Sequence, residues 1–152
     1  MPVRLHLYKF YQHLLDALQE CRQGFNIEFI RVSSYEGTNS TGDVKIGGAV
    51  DLESFKQKHV ILVEDIVDTG TTLSHLVPLL NEKANPASLE VCSLLTKRIE
   101  KPQKYTAKYV GFSIPNQFII GYGLDYNELY RDTQDIWVIS QTGIDFDSST
   151  LK

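Results

Sequence analysis

Residues 60–72 read VILVEDIVDTGTT. A continuous apolar run, His59 to Val63, passes into Glu64-Asp65-Ile66-Val67-Asp68-Thr69-Gly70-Thr71-Thr72, and Leu73, Leu76, Val77 and Leu80 follow at helical spacing. A short apolar run bounded by turn residues reads as a buried strand, and the three- and four-residue spacing after it reads as an amphipathic helix. Strand, acidic glycine-containing turn and helix make half of a βαβ unit. Ligands of parallel sheets bind beyond the carboxyl ends of the strands, so this turn is the first place to look for chemistry.

Working outward, the same alternation continues. Leu7, Phe10, Leu14, Leu18 and Cys21 form a helical stripe within residues 5–22, and Gly24 is placed to stop it. Residues 26–32, NIEFIRV, read as a strand. Residues 33–48 are polar and rich in glycine, which predicts a long loop or loose hairpin of the kind that is often functional. Downstream, Asn85-Pro86 breaks the helix, Leu89 to Leu95 reads as a buried strand, and a basic loop with Lys97, Arg98, Lys101, Pro102 and Lys104 follows. Tyr109 to Phe112, Phe118 to Tyr122 and Ile136 to Ile139 read as further strands. Strands alternating with helices predict an α/β domain with a mostly parallel sheet flanked by helices. No internal repeat and no dividing linker is visible, so residues 1–152 are expected to form a single domain.

Composition narrows the partners. The chain has 152 residues, 42% hydrophobic and 22% charged, which excludes a disordered or fibrous protein. Lysine plus arginine number 15 against 19 acidic residues, a net charge of −4, so no nucleic-acid partner is expected. No apolar run approaches the roughly 18 residues of a membrane span, and MPVRLHLYKF lacks the core of a signal peptide. A cytoplasmic location without membrane partners is the expectation. The two cysteines, Cys21 and Cys92, make no disulfide framework and are expected to be reduced.

The turn has a chemical reading. Asp68 to Thr72 offer unpaired backbone N–H groups, hydroxyls and a flexible glycine at a helix start, which suits a phosphate. Two adjacent carboxylates before it suit sugar hydroxyls or a Mg²⁺ that offsets the charge. Together they fit a ribose 5-phosphate. Helix capping by Asp68 or Thr69 is the competing structural explanation. Asp-Thr-Gly-Thr also resembles an aspartic-protease signature, but those enzymes need two such aspartates and continue in β-structure, whereas here one copy is followed by a helical pattern. Lys97 and Arg98 by themselves read as a solvated charge run, Phe118 as a core aromatic and Asp125 with Arg131 as a surface pair.

The run from Val60 to Thr72 resembles the phosphoribosyl-diphosphate (PRPP) motif of type I phosphoribosyltransferases. The likeness extends in unbroken order over residues 8 to 143. Ser34-Tyr35 with Ser40-Thr41-Gly42-Asp43 resembles the flap of the hypoxanthine-guanine phosphoribosyltransferases. Leu94-Leu95-Thr96-Lys97-Arg98 resembles their purine-side segment, Gln117 to Asp132 their purine-stacking and magnesium segment, and Val138 to Gly143 their final strand. The resemblance implies a purine-salvage transferase that moves 5-phosphoribosyl from PRPP to hypoxanthine or guanine, giving IMP or GMP and pyrophosphate with Mg²⁺, in a dimer or tetramer. It implies that Glu64 and Asp65 hold the ribose hydroxyls and metal, and that Asp68 is the acid–base residue at purine N7. Thr69, Gly70, Thr71 and Thr72 would cradle the 5-phosphate. Lys97 would donate to the purine O6, Phe118 would stack on the base and Ile119 would offer its backbone to the base edge. Asp125 would bind metal beside the purine, Arg131 would reach the pyrophosphate, and Ser34 and Tyr35 would close over the site.

Two departures and one gap mark the resemblance. Thr71 and Gln117 stand where relatives often carry lysine. Leu5-His6-Leu7 stand where the family has a pyrophosphate loop, and only Met1 to Arg4 precede them. The resemblance therefore implies a domain incomplete at its N-terminus, without its first core strand. Two functions remain open on this basis: a working transferase, and a catalytically impaired isoform or fragment that binds nucleotide or a full-length partner.

Overall fold

The computed structural model describes residues 8–22, 24–34, 44–47 and 51–146. Helix α1 spans Tyr8–Gln19. Strands β1 (Arg31–Ser34) and β2 (Val44–Gly47) pair antiparallel, with Arg31 opposite Gly47 and Ser34 opposite Val44. The loose hairpin expected over residues 33–48 is thus present at its two legs, and its tip lies outside the described residues. The strand expected over residues 26–32 is corrected: residues 24–30 carry no regular secondary structure, and pairing begins only at Arg31. Their apolar residues do not make them a strand, because no ladder among the described residues takes up their backbone groups. Phe29 instead packs its ring edge-to-face against Tyr11 of α1 at 5.5 Å.

The central sheet consists of β3 (His59–Val67), β4 (Ser88–Arg98) and β5 (Tyr109–Pro115), in that order and all parallel. Parallel neighbours cannot be joined by a tight turn, so a crossover is needed. Between β3 and β4 it is helix α2, Thr71–Ala84. This helix begins at Gly70, held in the left-handed region at φ 73°, and ends at Asn85, also left-handed, whose N–H bonds to the Asn81 carbonyl. Leu73, Leu76, Val77, Leu80 and Ala84 are buried, as the spacing predicts, and Leu73 and Val77 join Val67, Val91 and Ala107 in the core. Between β4 and β5 the crossover, residues 99–108, contains no helix. It folds over the carboxyl ends of β3 and β4.

The strand carrying the acids runs further than its apolar residues suggest. Glu64 and Asp65 lie inside β3, with Glu64 in register with Ser93 of β4, and the turn proper is Asp68–Gly70. Backbone pairing to β4 on either side of Asp65 holds the chain extended through both carboxylates.

After β5 the chain makes a short antiparallel pair, β6 (Ile119–Ile120) with β7 (Trp137–Val138). The excursion between them folds back on itself: Gly121 pairs with Leu124, Tyr126 with Leu129, and Tyr122 N–H bonds to the Thr133 carbonyl. Lys9 of α1 donates to the Thr133 carbonyl at 2.6 Å, and His13 hydrogen-bonds the Tyr122 hydroxyl, so α1 is fastened to this excursion. Helix α3, Gln141–Asp145, follows with Ser140 as its cap. Among the described residues no helix is long and apolar enough to cross a membrane, and both cysteines are free.

Candidate functional site

The turn after β3 is shaped by its glycine. A side chain at Gly70 would need a left-handed backbone and would place its Cβ 2.6 Å from the Tyr105 nitrogen and 2.8 Å from the Tyr105 oxygen. Only glycine lets the turn and the 99–108 crossover approach this closely. The Lys104 N–H completes the seat by donating to the Thr69 carbonyl at 2.9 Å. Because Gly70 is the residue before the first helical turn and supplies no side chain, the capping explanation for Asp68 falls away. The Thr69 hydroxyl accepts only a long bond from the Thr71 N–H, 3.4 Å, and sits 3.0 Å from the Thr71 hydroxyl. Thr69 and Thr72 are exposed, Thr71 is half-buried, and the start of a fourteen-residue helix lies beside them. Such an arrangement can take an anion.

Asp68 has a specific partner. Lys97, at the end of β4, donates from its Nζ to Asp68 Oδ2 at 3.0 Å. Its side chain is only 11% exposed, so it is not part of a solvated charge run. Parallel pairing explains the meeting: the β3–β4 ladder ends with Val67 opposite Thr96, and the next residue on each strand is Asp68 and Lys97. Arg98 turns away and donates to the Ser113 carbonyl of β5 at 2.6 Å.

On its other side the Lys97 ammonium stands 5.9 Å from the ring centre of Phe118. Phe118 is 49% exposed, so it is not a core aromatic, and Tyr126 braces it edge-to-face at 5.3 Å. Its carbonyl accepts from the Ile139 N–H, and Ile119 pairs with Val138. A cation with a carboxylate on one side and an open aromatic face on the other suits a flat, hydrogen-bonding ring.

The acids within β3 differ in environment. Glu64 is pushed up to about 7, first by burial and then by the charge of Asp65. Asp65 is half-buried and accepts the Ile66 N–H at 2.7 Å. In the excursion, Asp125 Oδ1 meets Arg131 Nη2 at 2.8 Å, Asp125 Oδ2 accepts the Glu128 N–H at 2.8 Å, and Arg131 Nη1 donates to the Gly123 carbonyl at 2.9 Å. Asp125 and Arg131 are therefore a half-buried, hydrogen-bonded pair and not a surface pair. An Arg131 that reaches toward another anion must first share or leave Asp125.

Among the described residues no cluster of three or more histidine, cysteine or acidic side chains forms a ready-made metal cage. Mg²⁺ does not require one: it commonly takes one or two carboxylates and completes its shell with water and substrate phosphate oxygens. Adjacent Glu64 and Asp65, and Asp125, fit that donor set.

The structure thus brings Asp68, Lys97 and Phe118 together and keeps Thr69 to Thr72 contiguous with them. It places Asp125 and Arg131 on the excursion that follows Phe118 and Ile119. Ser34 ends β1, and Tyr35 lies outside the described residues. Sequence reasoning missed the 99–108 crossover. Its Gln103 side chain reaches the carbonyls of Val67, Asp68 and Lys97 and the hydroxyl of Thr96. A polar residue in an aperiodic loop carries no signal of such a role. Tyr126 and Lys9 were missed for the same reason, since each acts through a contact distant in sequence.

The family model described as a phosphoribosyl transferase domain matches residues 8–127. The hypoxanthine-guanine phosphoribosyltransferase of Canis lupus familiaris is 43% identical over 142 residues, 90% of this chain and 65% of the relative. The Homo sapiens protein of the same name is 42% identical with the same coverage. The chain thus spans about 65% of the length of these curated relatives. Among solved structures, the hypoxanthine phosphoribosyltransferase of Trypanosoma cruzi in complex with the product IMP superposes with a TM-score of 0.76. It is 39% identical, and the match covers 91% of this chain and 72% of that one. A ternary substrates complex of a variant of the same enzyme gives 0.78 at 41% identity, covering 91% and 73%.

Proposed function

The chain belongs to the phosphoribosyl transferase family, and from that premise we propose that it transfers 5-phosphoribosyl from PRPP to hypoxanthine or guanine, releasing pyrophosphate. The observation that carries this reading is the Lys97–Asp68 pair, set between the open face of Phe118 and the glycine turn at the start of α2.

Each residue then has a proposed task. The purine lies on Phe118 with its edge toward Ile119, and Lys97 donates to O6, which favours a 6-oxopurine over an amino purine. Asp68 faces N7. As N9 attacks C1′ of the ribose, the C1′–pyrophosphate bond breaks and Asp68 accepts the N7 proton, a role open to a carboxylate within hydrogen-bond reach. Thr69 to Thr72 and the start of α2 receive the 5-phosphate. Glu64 and Asp65 accept from the ribose hydroxyls. Arg131 has the forked donor geometry that suits the leaving pyrophosphate. Mg²⁺ held by Glu64, Asp65 and Asp125 would offset phosphate charge. Ser34 and Tyr35 are the residues proposed to exclude water from a carbocation-like ribose. Residues 1–152 are proposed to act as one domain, in a homodimer or homotetramer, in the cytoplasm.

The test is direct. The purified, folded chain, given labelled hypoxanthine, PRPP and Mg²⁺, is expected to form IMP. Asp68→Asn, nearly equal in shape, is expected to lower kcat by about 10²- to 10⁴-fold, the range of general acid–base catalysis. Nucleotide binding without product from either base would overturn transfer and leave a nucleotide-binding protein.

A further inference from the structure

The crossover between β4 and β5 is tied to the reacting end of the sheet through one side chain. The Gln103 Nε2 stands 2.7 Å from the Asp68 carbonyl, 3.1 Å from that of Val67, 3.3 Å from that of Lys97 and 3.0 Å from the Thr96 hydroxyl. Three of these neighbours are carbonyl oxygens, which only accept, so the amide nitrogen and not its oxygen must face them. The oxygen is used as well: Thr96 Oγ1 lies 3.2 Å from it.

The position of these acceptors matters. The β3–β4 ladder stops with Val67 opposite Thr96. Beyond that point the strand ends have no ladder to hold them together, yet Asp68 and Lys97 must meet there. From the geometry we infer that Gln103 is a positioning residue: its amide spans the two strand ends one step past the last sheet pair and sets the approach of Lys97 Nζ to Asp68. The Lys104 N–H on the Thr69 carbonyl and the Tyr105 backbone against Gly70 continue the seat toward the helix start. Of these three loop residues, only Gln103 reaches both strand ends. Its role in turnover rests on the transferase reading above, while the clamp itself is a property of the free chain.

Two variants isolate the donor. Gln103→Glu keeps the shape and replaces the N–H₂ group with an oxygen that faces carbonyls. Gln103→Met keeps the length without charge and stands in if the first fails to fold. In the free chain, amide hydrogen exchange at Lys104 is expected to quicken about tenfold or more in either variant. Exchange inside β3 and β4 is expected to stay unchanged. No quickening at Lys104, or equal quickening throughout the sheet, overturns the clamp.

In turnover, kcat is expected to fall by about tenfold to a hundredfold, the scale of a misplaced reacting group. KM for PRPP is expected to stay within about threefold, because Gly70 and the start of α2, which receive most of the 5-phosphate, keep their own helix bonds. Lys101→Ala, on the same loop and exposed, is expected to leave both constants unchanged. Faster Lys104 exchange with an unaltered kcat overturns the positioning role. Faster Lys104 exchange in the variants, together with a wild-type chain that forms no IMP, supports the clamp and overturns the transferase reading instead.

Discussion

At Gly70 two requirements coincide, and either alone would select glycine. The left-handed backbone disfavours a side chain by about 1–2 kcal/mol, and the Tyr105 backbone leaves no room for a Cβ. Gly70→Ala is therefore expected to lower unfolding free energy by at least about 2 kcal/mol, read as a lower urea midpoint at constant slope. A loss below about 0.5 kcal/mol would show that the crossover yields easily.

Glu64 makes a different kind of prediction. Its folded value is raised from the ordinary 4.5 to about 7 by burial and by Asp65. The folded chain therefore holds this proton at pH values where the unfolded chain has lost it. The associated stability is fully present below about 4.5, falls as the pH rises, and is gone above about 7. The total is on the order of 3 kcal/mol at most. Without added metal, Glu64→Gln is expected to flatten this part of the stability–pH curve. An unchanged slope in the variant would assign the effect to other groups.

At the scale of elements, α2 carries the heaviest packing. Leu76 is fully buried and Leu80 nearly so. Leu76→Ala is expected to cost about 2–5 kcal/mol in denaturant unfolding, as for other large-to-small core changes. Phe112→Ala on β5, where the ring is 65% exposed, is expected to cost well under half of that.

The same contrast explains what could be read from the sequence. The unit β3–turn–α2 was legible because local pattern and tertiary role agree: a buried strand is apolar, and a helix on a sheet is striped. Residues 26–30 misled because apolar content alone does not supply a pairing partner. The β3 acids were placed too early in the turn, since backbone pairing extends a strand beyond its apolar residues. Asp68 and Lys97 were legible separately, and the resemblance assigned them related roles. Their direct contact was not legible, because it depends on the register of two strands. Gln103 left no trace at all: most of its partners are backbone carbonyls, which every sequence possesses.

The whole molecule gathers the site from segments far apart in sequence: the β3–α2 turn, the end of β4, and the stretch from Phe118 to Arg131, which Lys9 fastens to α1. A ligand that touches all of them binds only when they are assembled, so its binding energy adds to the stability of the fold as RT ln(1 + [L]/Kd). At a hundred times Kd this is about 2.7 kcal/mol, enough to raise Tm by about 5–11 °C at the roughly 2–4 °C per kcal/mol of domains of about 150–250 residues. The size of the shift tracks ligand concentration, which separates specific binding from a general salt effect. GMP, which combines a 6-oxopurine, a ribose and a 5-phosphate, is expected to raise Tm progressively with concentration. Ribose 5-phosphate alone, lacking anything for Phe118 and Lys97, is expected to do so only at much higher concentration. AMP, whose 6-amino group cannot accept from Lys97, is expected to bind about 5- to 150-fold more weakly than GMP in apparent Kd, because a buried donor left unpaired costs about 1–3 kcal/mol. Equal shifts from GMP and AMP would remove Lys97 from base selection while leaving the phosphate turn intact. No shift from any of the three would mean that these segments, though assembled, do not bind this class of nucleotide.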